Sequence, residues 1–206
     1  MKVLRSTITV VAGMLFFAAF ANAQRIDAYL GFGTARDPSS NLSIDLFGNG
    51  SGSPTTALGG VFMTLGGGVM LKPSLGVGGE VSLRLTQLDY AGAGVRPIFY
   101  DFNGIFTPKI GTSRVMAELQ GGLGGVNVRF YGGSQFCDPF TGRCSNFAGS
   151  SNHFQLHLGA GIRFYVNEHV FLRPQFDYHW VHSLTDLFKN DSVMAYSIAV
   201  GLSSSR

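Results

Sequence analysis

Between Leu172 and Val181 the sequence reads LRPQFDYHWV. Leu172, Pro174, Phe176, Tyr178 and Trp180 alternate with Arg173, Gln175, Asp177 and His179. Side chains two apart share one face of a β-strand, so this is a strand with one aromatic and one ionic face. The same period recurs along the chain. Ile26, Ala28, Leu30 and Phe32 share a side, as do Val61, Met63, Leu65, Val69 and Leu71. Leu75, Val77, Val81, Leu83 and Leu85 oppose Glu80, Ser82, Arg84 and Thr86; Ile98, Tyr100, Phe102 and Phe106 oppose Asp101 and Asn103. Val115, Ala117, Leu119 and Leu123 oppose Arg114, Glu118 and Gln120; Phe154 through Phe164 alternate with Gln155, His157, Gly159, Gly161 and Arg163. Met194, Tyr196, Ile198, Val200 and Leu202 close the series, against a face of small residues.

These make eight predicted strands, and the connections between them alternate in length. Long ones cover residues 36–58, 89–96, 131–152 and 183–191; short ones cover 72–74, 108–112 and 167–169. All long loops therefore fall at one end, and both termini fall at the other. Ten residues rising about 3.4 Å each and tilted by about 45° cover about 24 Å, close to the ≈ 25 Å apolar band of a membrane-spanning barrel. An open sheet would leave its edges unpaired in hydrocarbon, so the strands must close. The apolar faces then meet lipid. The reverse would put Arg173 in hydrocarbon at a cost of about 2–4 kcal/mol. Composition agrees: charged residues are 13% of the chain and Gly numbers 29, whereas soluble domains carry about 25% charged residues. Pro174 removes a ladder hydrogen bond in mid-strand, which predicts a β-bulge there.

Residues 1–23 read as a cleaved export signal, with Lys2 and Arg5, an apolar run from Ile8 to Phe20, and the small-residue site Ala21-Asn22-Ala23. The apolar run is too short for a spanning helix. The whole chain carries 15 Lys+Arg and 12 Asp+Glu. Without Lys2 and Arg5 the mature balance is close to neutral, so the overall basicity is no nucleic-acid signal. Export suits a disulfide, and Cys137 and Cys144 in CDPFTGRC are the only cysteines. No His lies between them, which disfavours a metal at that loop.

The sites KPSLGVGGEVSL (72–83), GAGIRFYV (159–166) and VFLRPQFDYHWV (170–181), with the Ala-x-Ala site, resemble the small eight-stranded bacterial outer-membrane barrels of the OmpA/OmpX type. More closely, the chain is similar to the outer membrane protein β-barrel domain family over residues 24–206. The resemblance implies an all-β, eight-stranded antiparallel up-and-down transmembrane barrel in the bacterial outer membrane. Such barrels usually end in an aromatic residue; this chain ends VGLSSSR.

The predicted inner face carries Glu80, Arg84, Asp101, Arg114, Glu118, Arg163, Arg173 and Asp177, with Gln120, Gln155, His157, Gln175 and His179 among them. Four Arg match four acids. An eight-stranded lumen is only wide enough for side chains to fill, so matched charges predict a plug rather than a path. The alternative is an ion or proton path through His157 and His179. GGLGGVN (121–127) has no following helix and makes no nucleotide loop. A lipid A-modifying enzyme would need a His–Ser–acid set, but the adjacent His182 and Ser183, with Asp186 nearby, point opposite ways on a strand. The expectation is a non-enzymatic surface or structural barrel, with a small pore and a lipid A-modifying enzyme as alternatives. It needs no cofactor or metal and acts as a monomer. Its partners are outer-membrane lipid, lipopolysaccharide and an external ligand for the loops. Arg36, Arg96, Arg129 and Arg143 are the predicted rim contacts to lipopolysaccharide phosphates.

Overall fold

The computed structural model describes residues 25–37, 43–44, 53–54, 58–90, 93–111, 114–137, 144–184 and 190–204. The signal segment, Arg143 and Asp186 lie outside the described residues. Among the described residues the strands in chain order are β1 (Arg25–Arg36), β2 (Ser43–Ile44), β3 (Ser53–Pro54), β4 (Phe62–Met70), β5 (Leu75–Arg84), β6 (Leu88–Tyr90), β7 (Ala93–Phe106), β8 (Val115–Cys137), β9 (Cys144–Tyr165), β10 (Val170–Val181) and β11 (Ser192–Ser203). β2 and β3 pair only with each other. The eight long strands each pair antiparallel with the next, and β11 returns to β1 from Asp27↔Ser203 to Arg36↔Met194. β6 extends β5 along the same edge of β7. The result is a closed up-and-down barrel with no free edge.

Alternation decides which residues face lipid. On β10 every second side chain from Phe171 to Val181 is buried, while Leu172, Phe176 and Trp180 are exposed. Around the whole wall the outward positions are large and apolar: Leu65, Phe102, Leu158 and Leu202 are about 60% exposed to the surroundings. Only lipid makes such a surface stable, since a soluble domain rarely exposes apolar patches beyond a few hundred Å².

Two predicted loops are strand instead. In the stretch 89–96, Asp89 pairs with Gly94 and Tyr90 with Ala93, continuing the ladder from Leu88↔Val95. Residues 131–152 are mostly ladder: β8 and β9 continue past Asn127↔Asn152 to Cys137↔Cys144. Backbone pairing does not need apolar side chains, so the ladder continues past the apolar alternation. Cys137 and Cys144 are joined by a disulfide at its tip. Register shifts fall between Phe130 and Tyr131 and between Tyr131 and Phe136.

No bulge forms at Pro174. Its pairing with Ile198 on β11 is in register. Towards β9 the ladder skips Arg173 and Pro174 and resumes at Gln175↔Gly161 with the register unchanged. The missing N–H therefore costs a gap in one ladder, not an extra residue.

Glycines make room for inward aromatic rings. A Cβ at Gly201 would lie 2.1 Å from the Phe171 ring, and one at Gly66 would lie 2.4 Å from the Tyr29 ring. Gly201→Leu is therefore expected to lower barrel stability by about 1–3 kcal/mol through overpacking. Urea unfolding in lipid vesicles, against Val200→Leu on the lipid face as control, measures it.

Candidate functional site

The inward side chains build a continuous polar column. Glu118 on β8 is its centre and is fully buried. It accepts from Arg163 Nε through Oε2 and from Arg173 Nε through Oε1 at 2.8 Å. Arg163 also donates to Asp27, which accepts from Ser203 Oγ at 2.7 Å and lies 3.2 Å from Arg25 Nε. Arg173 reaches Glu80 at 3.3 Å, and Glu80 accepts the Tyr29 hydroxyl at 2.9 Å. The two guanidiniums also lie over rings, Arg173 4.0 Å from the Tyr29 centroid and Arg163 4.9 Å from that of Phe171. Cation–π contacts of this kind contribute about 0.5–2 kcal/mol each.

Amides continue the column outward. Gln120 donates to Glu118 and accepts from Asn103 Nδ2 at 3.3 Å; Asn103 also donates to Asp101. His157 lies 2.9 Å from Asn103 Oδ1 through Nδ1 and 2.9 Å from Asp177 Oδ1 through Nε2. Gln175 donates to Asp177, and Gln155 donates to the Tyr100 carbonyl at 3.2 Å. His179 stacks on His157 with centroids 4.7 Å apart and planes at 13°.

Above this column the lumen turns apolar. Ala35, Leu58, Phe62, Leu88, Val95, Phe99, Val126, Val128, Val181, Leu184 and Val193 form one buried cluster at the long-loop end. A second cluster, Tyr29, Met116, Tyr165, Phe171 and Ala199, lies towards the short turns. The ionic column is thus held between two apolar layers.

Arg114 is a correction to the sequence reading. It is exposed in the turn before β8, outside the column, because the strand begins only at Val115. Arg84 is buried, but it donates to the carbonyls of Gly59 at 2.6 Å and Thr86 at 2.8 Å, away from the carboxylates. Asp27, Tyr29 and Arg25 were not anticipated. Their parity on β1, opposite Ile26, Ala28 and Leu30, was the available signal. The inward apolar cluster was also missed, since apolar residues were read as lipid-facing.

A second feature lies on the outer wall beyond the apolar band. Arg96 on β7 and Arg129 on β8 are direct cross-strand partners. Arg129 Nε donates to Asn127 Oδ1 at 3.1 Å, and Asn127 donates to Asn152 at 2.8 Å. Arg96 lies 6.0 Å from the Tyr131 ring and donates to the Leu85 carbonyl at 3.2 Å. Like charges placed opposite one another destabilise a sheet unless an anion joins them. Arg36 is exposed at the end of β1, on the same outer rim.

The family model described as "Outer membrane protein beta-barrel domain" matches residues 7–204. No curated protein sequence matches the chain. Among solved structures, the outer membrane protein OprG of Pseudomonas aeruginosa is 16% identical, with 90% of this chain and 98% of that one covered at a TM-score of 0.56. Neisserial surface protein A is 14% identical, covering 86% and 95%, also at 0.56. Ail of Yersinia pestis, solved with the heparin analogue sucrose octasulfate, is 14% identical, covering 87% and 97% at 0.51. At such identities the likeness is one of fold.

The geometry separates two arginines that sequence alone put together. Arg163→Met leaves Glu118 and Asp27 facing a lost partner and is expected to cost about 3–5 kcal/mol. Arg114→Met should change stability by less than about 0.5 kcal/mol, as exposed substitutions do. Urea midpoints of the two variants in vesicles check the contrast.

Proposed function

The chain belongs to the outer membrane protein β-barrel domain family, and from that premise we propose that it is a non-enzymatic, sealed barrel of the outer membrane that works through its outer surface. The observation that carries this reading is the filled cross-section of the lumen: Glu118, Arg163 and Arg173 are at most 1% exposed, with an apolar cluster above them. A solute would have to break several buried charge pairs to pass. The inner residues thus act as a structural plug, and interaction falls to the rim and to the projecting β8–β9 hairpin.

In this reading the partner of the outer wall is lipopolysaccharide, its phosphates held by the outward-facing Arg96 and Arg129. Arg binds phosphate through paired, charge-assisted hydrogen bonds. The Ail structure holds a sulfated heparin analogue; polyanion binding by this chain rests on its own arginines. An acyl-hydrolase reading lacks support in the geometry. His182 packs against Trp180, with ring centroids 5.9 Å apart, and Ser183 sits in a turn at φ 59°. No hydrogen bond joins the two among the described residues. Residues 1–23 serve as the cleaved export signal in this reading, and the barrel is a monomer with no nucleic-acid partner.

Planar-bilayer recording tests the seal. The unmutated barrel is expected to give no large, long-lived openings, and such openings would promote the pore reading. Arg96→Gln with Arg129→Gln is expected to lower lipopolysaccharide co-purification about tenfold, the equivalent of one charge-assisted bond of about 1.4 kcal/mol. Unchanged retention, measured by phosphate content of the purified protein, would count against the contact.

A further inference from the structure

The carboxylates of the lumen outnumber its guanidiniums. Among the described residues, its column holds five carboxylates, Asp27, Glu80, Asp101, Glu118 and Asp177, against three guanidiniums, Arg25, Arg163 and Arg173. Arg84 and Asp37 are spent on backbone groups nearer the rim. With every carboxylate ionised and both imidazoles neutral, two negative charges are left over in the outer half of the column; both nitrogens of His157 face acceptor oxygens, so without an ion a proton on that ring carries part of the balance. Unbalanced charge in a narrow, dry space is costly.

In that half, Asp101 from β7, His157 from β9 and His179 from β10 converge. One donor atom from each lies within 4.8 Å of the others. We propose that these three side chains form a binding site for one divalent transition-metal ion of the zinc type. Two imidazoles and a carboxylate are a ligand set of that class, and a double positive charge cancels the surplus.

Three features support the site. First, His179 is 5% exposed and its Nδ1 has no hydrogen-bond partner. A buried nitrogen left unpaired calls for an explanation; its ring lies between His157, at 4.7 Å, and Phe99, at 5.1 Å. Ligand atoms around zinc stand about 3.4 Å apart at bond lengths near 2.1 Å, so a modest turn of His179 closes the set; Asp101 Oδ1 and His157 Nδ1 are already 3.5 Å apart. Second, the Nε2 of His157 is held by Asp177 at 2.9 Å, and its Nδ1 exchanges its contact with Asn103 Oδ1 for the ion. A carboxylate on the far nitrogen of a ligating imidazole fixes its orientation and raises its basicity. Third, β8 lies between β7 and β9, yet it carries Gly122 and Gly124 at the crossing. A Cβ at Gly122 would lie 2.3 Å from Asn103 Oδ1, and one at Gly124 would lie 2.6 Å from the Asp101 Cα. These glycines, in the GGLGG run that no nucleotide reading explains, let side chains of β7 and β9 meet across β8. A small cavity of about 20 Å³ beside His179, lined also by Asp177, Glu80, Thr64 and Ser82, has room for about one water as a further ligand. The sequence held no metal-ligand spacing because the three ligands come from three strands.

The apolar cluster closes the column from outside, so the ion enters as the barrel folds. The test is refolding of the full barrel in detergent with zinc, followed by dialysis and elemental analysis, and a parallel refolding with cobalt(II). One retained equivalent of zinc and a visible cobalt absorption are expected from the unmutated protein. His179→Gln should lose both while keeping heat-modifiable migration. Asp177→Asn should weaken zinc binding about 10–100-fold, as loss of an outer-shell carboxylate does. Absence of zinc and of the cobalt band from the unmutated barrel would overturn the site and leave the charge balance to protons. Equal zinc retention by His179→Gln would also overturn it, placing the ion on exposed histidines instead.

Discussion

Everything inside this barrel depends on one steric condition. Eight strands enclose a space just wide enough for side chains to fill, so an inward polar residue must find its partners within a few ångströms. Glu118 meets that condition most fully, since it accepts from Arg163 of β9, Arg173 of β10 and Gln120 of its own strand. Through the two arginines it is tied to Asp27 on β1 and Glu80 on β5. Five of the eight wall strands are thereby linked through one carboxylate. Lipid outside supplies little preference between one apolar side chain and another, so register is set from within.

The wall and its contents have adjusted to each other. Inward rings lie opposite glycines, as Phe171 does at Gly201 and Tyr29 at Gly66. The high glycine count therefore belongs to lumen packing more than to turns. The outer wall carries its own cross-strand pair, Arg96 opposite Arg129.

Much of this was legible in sequence because parity is a strict rule. Once Arg173 was placed inward, Gln175, Asp177 and His179 followed, and the structure holds all four inside. The hydrophobic faces of β1, β4, β5, β7 and β9 were readable on the same ground. The rule gave no purchase outside a strand, as at Arg114, one residue before β8. It also cannot tell an inward apolar residue from a lipid-facing one when the polar neighbours run out, which hid Phe99, Val126 and Val193. Partners across the lumen were beyond it altogether. That Asp27 meets Arg163, 136 residues away, follows from barrel closure, and a one-dimensional pattern does not contain it.

The central claim is that Glu118 and its arginines act as one unit. A double-mutant cycle on Glu118→Ala and Arg173→Met, read by urea unfolding in lipid vesicles, tests it most directly. The account predicts a coupling energy of about 1–3 kcal/mol, with the double variant less destabilised than the sum of the singles. Single effects that add to within about 0.5 kcal/mol would contradict it.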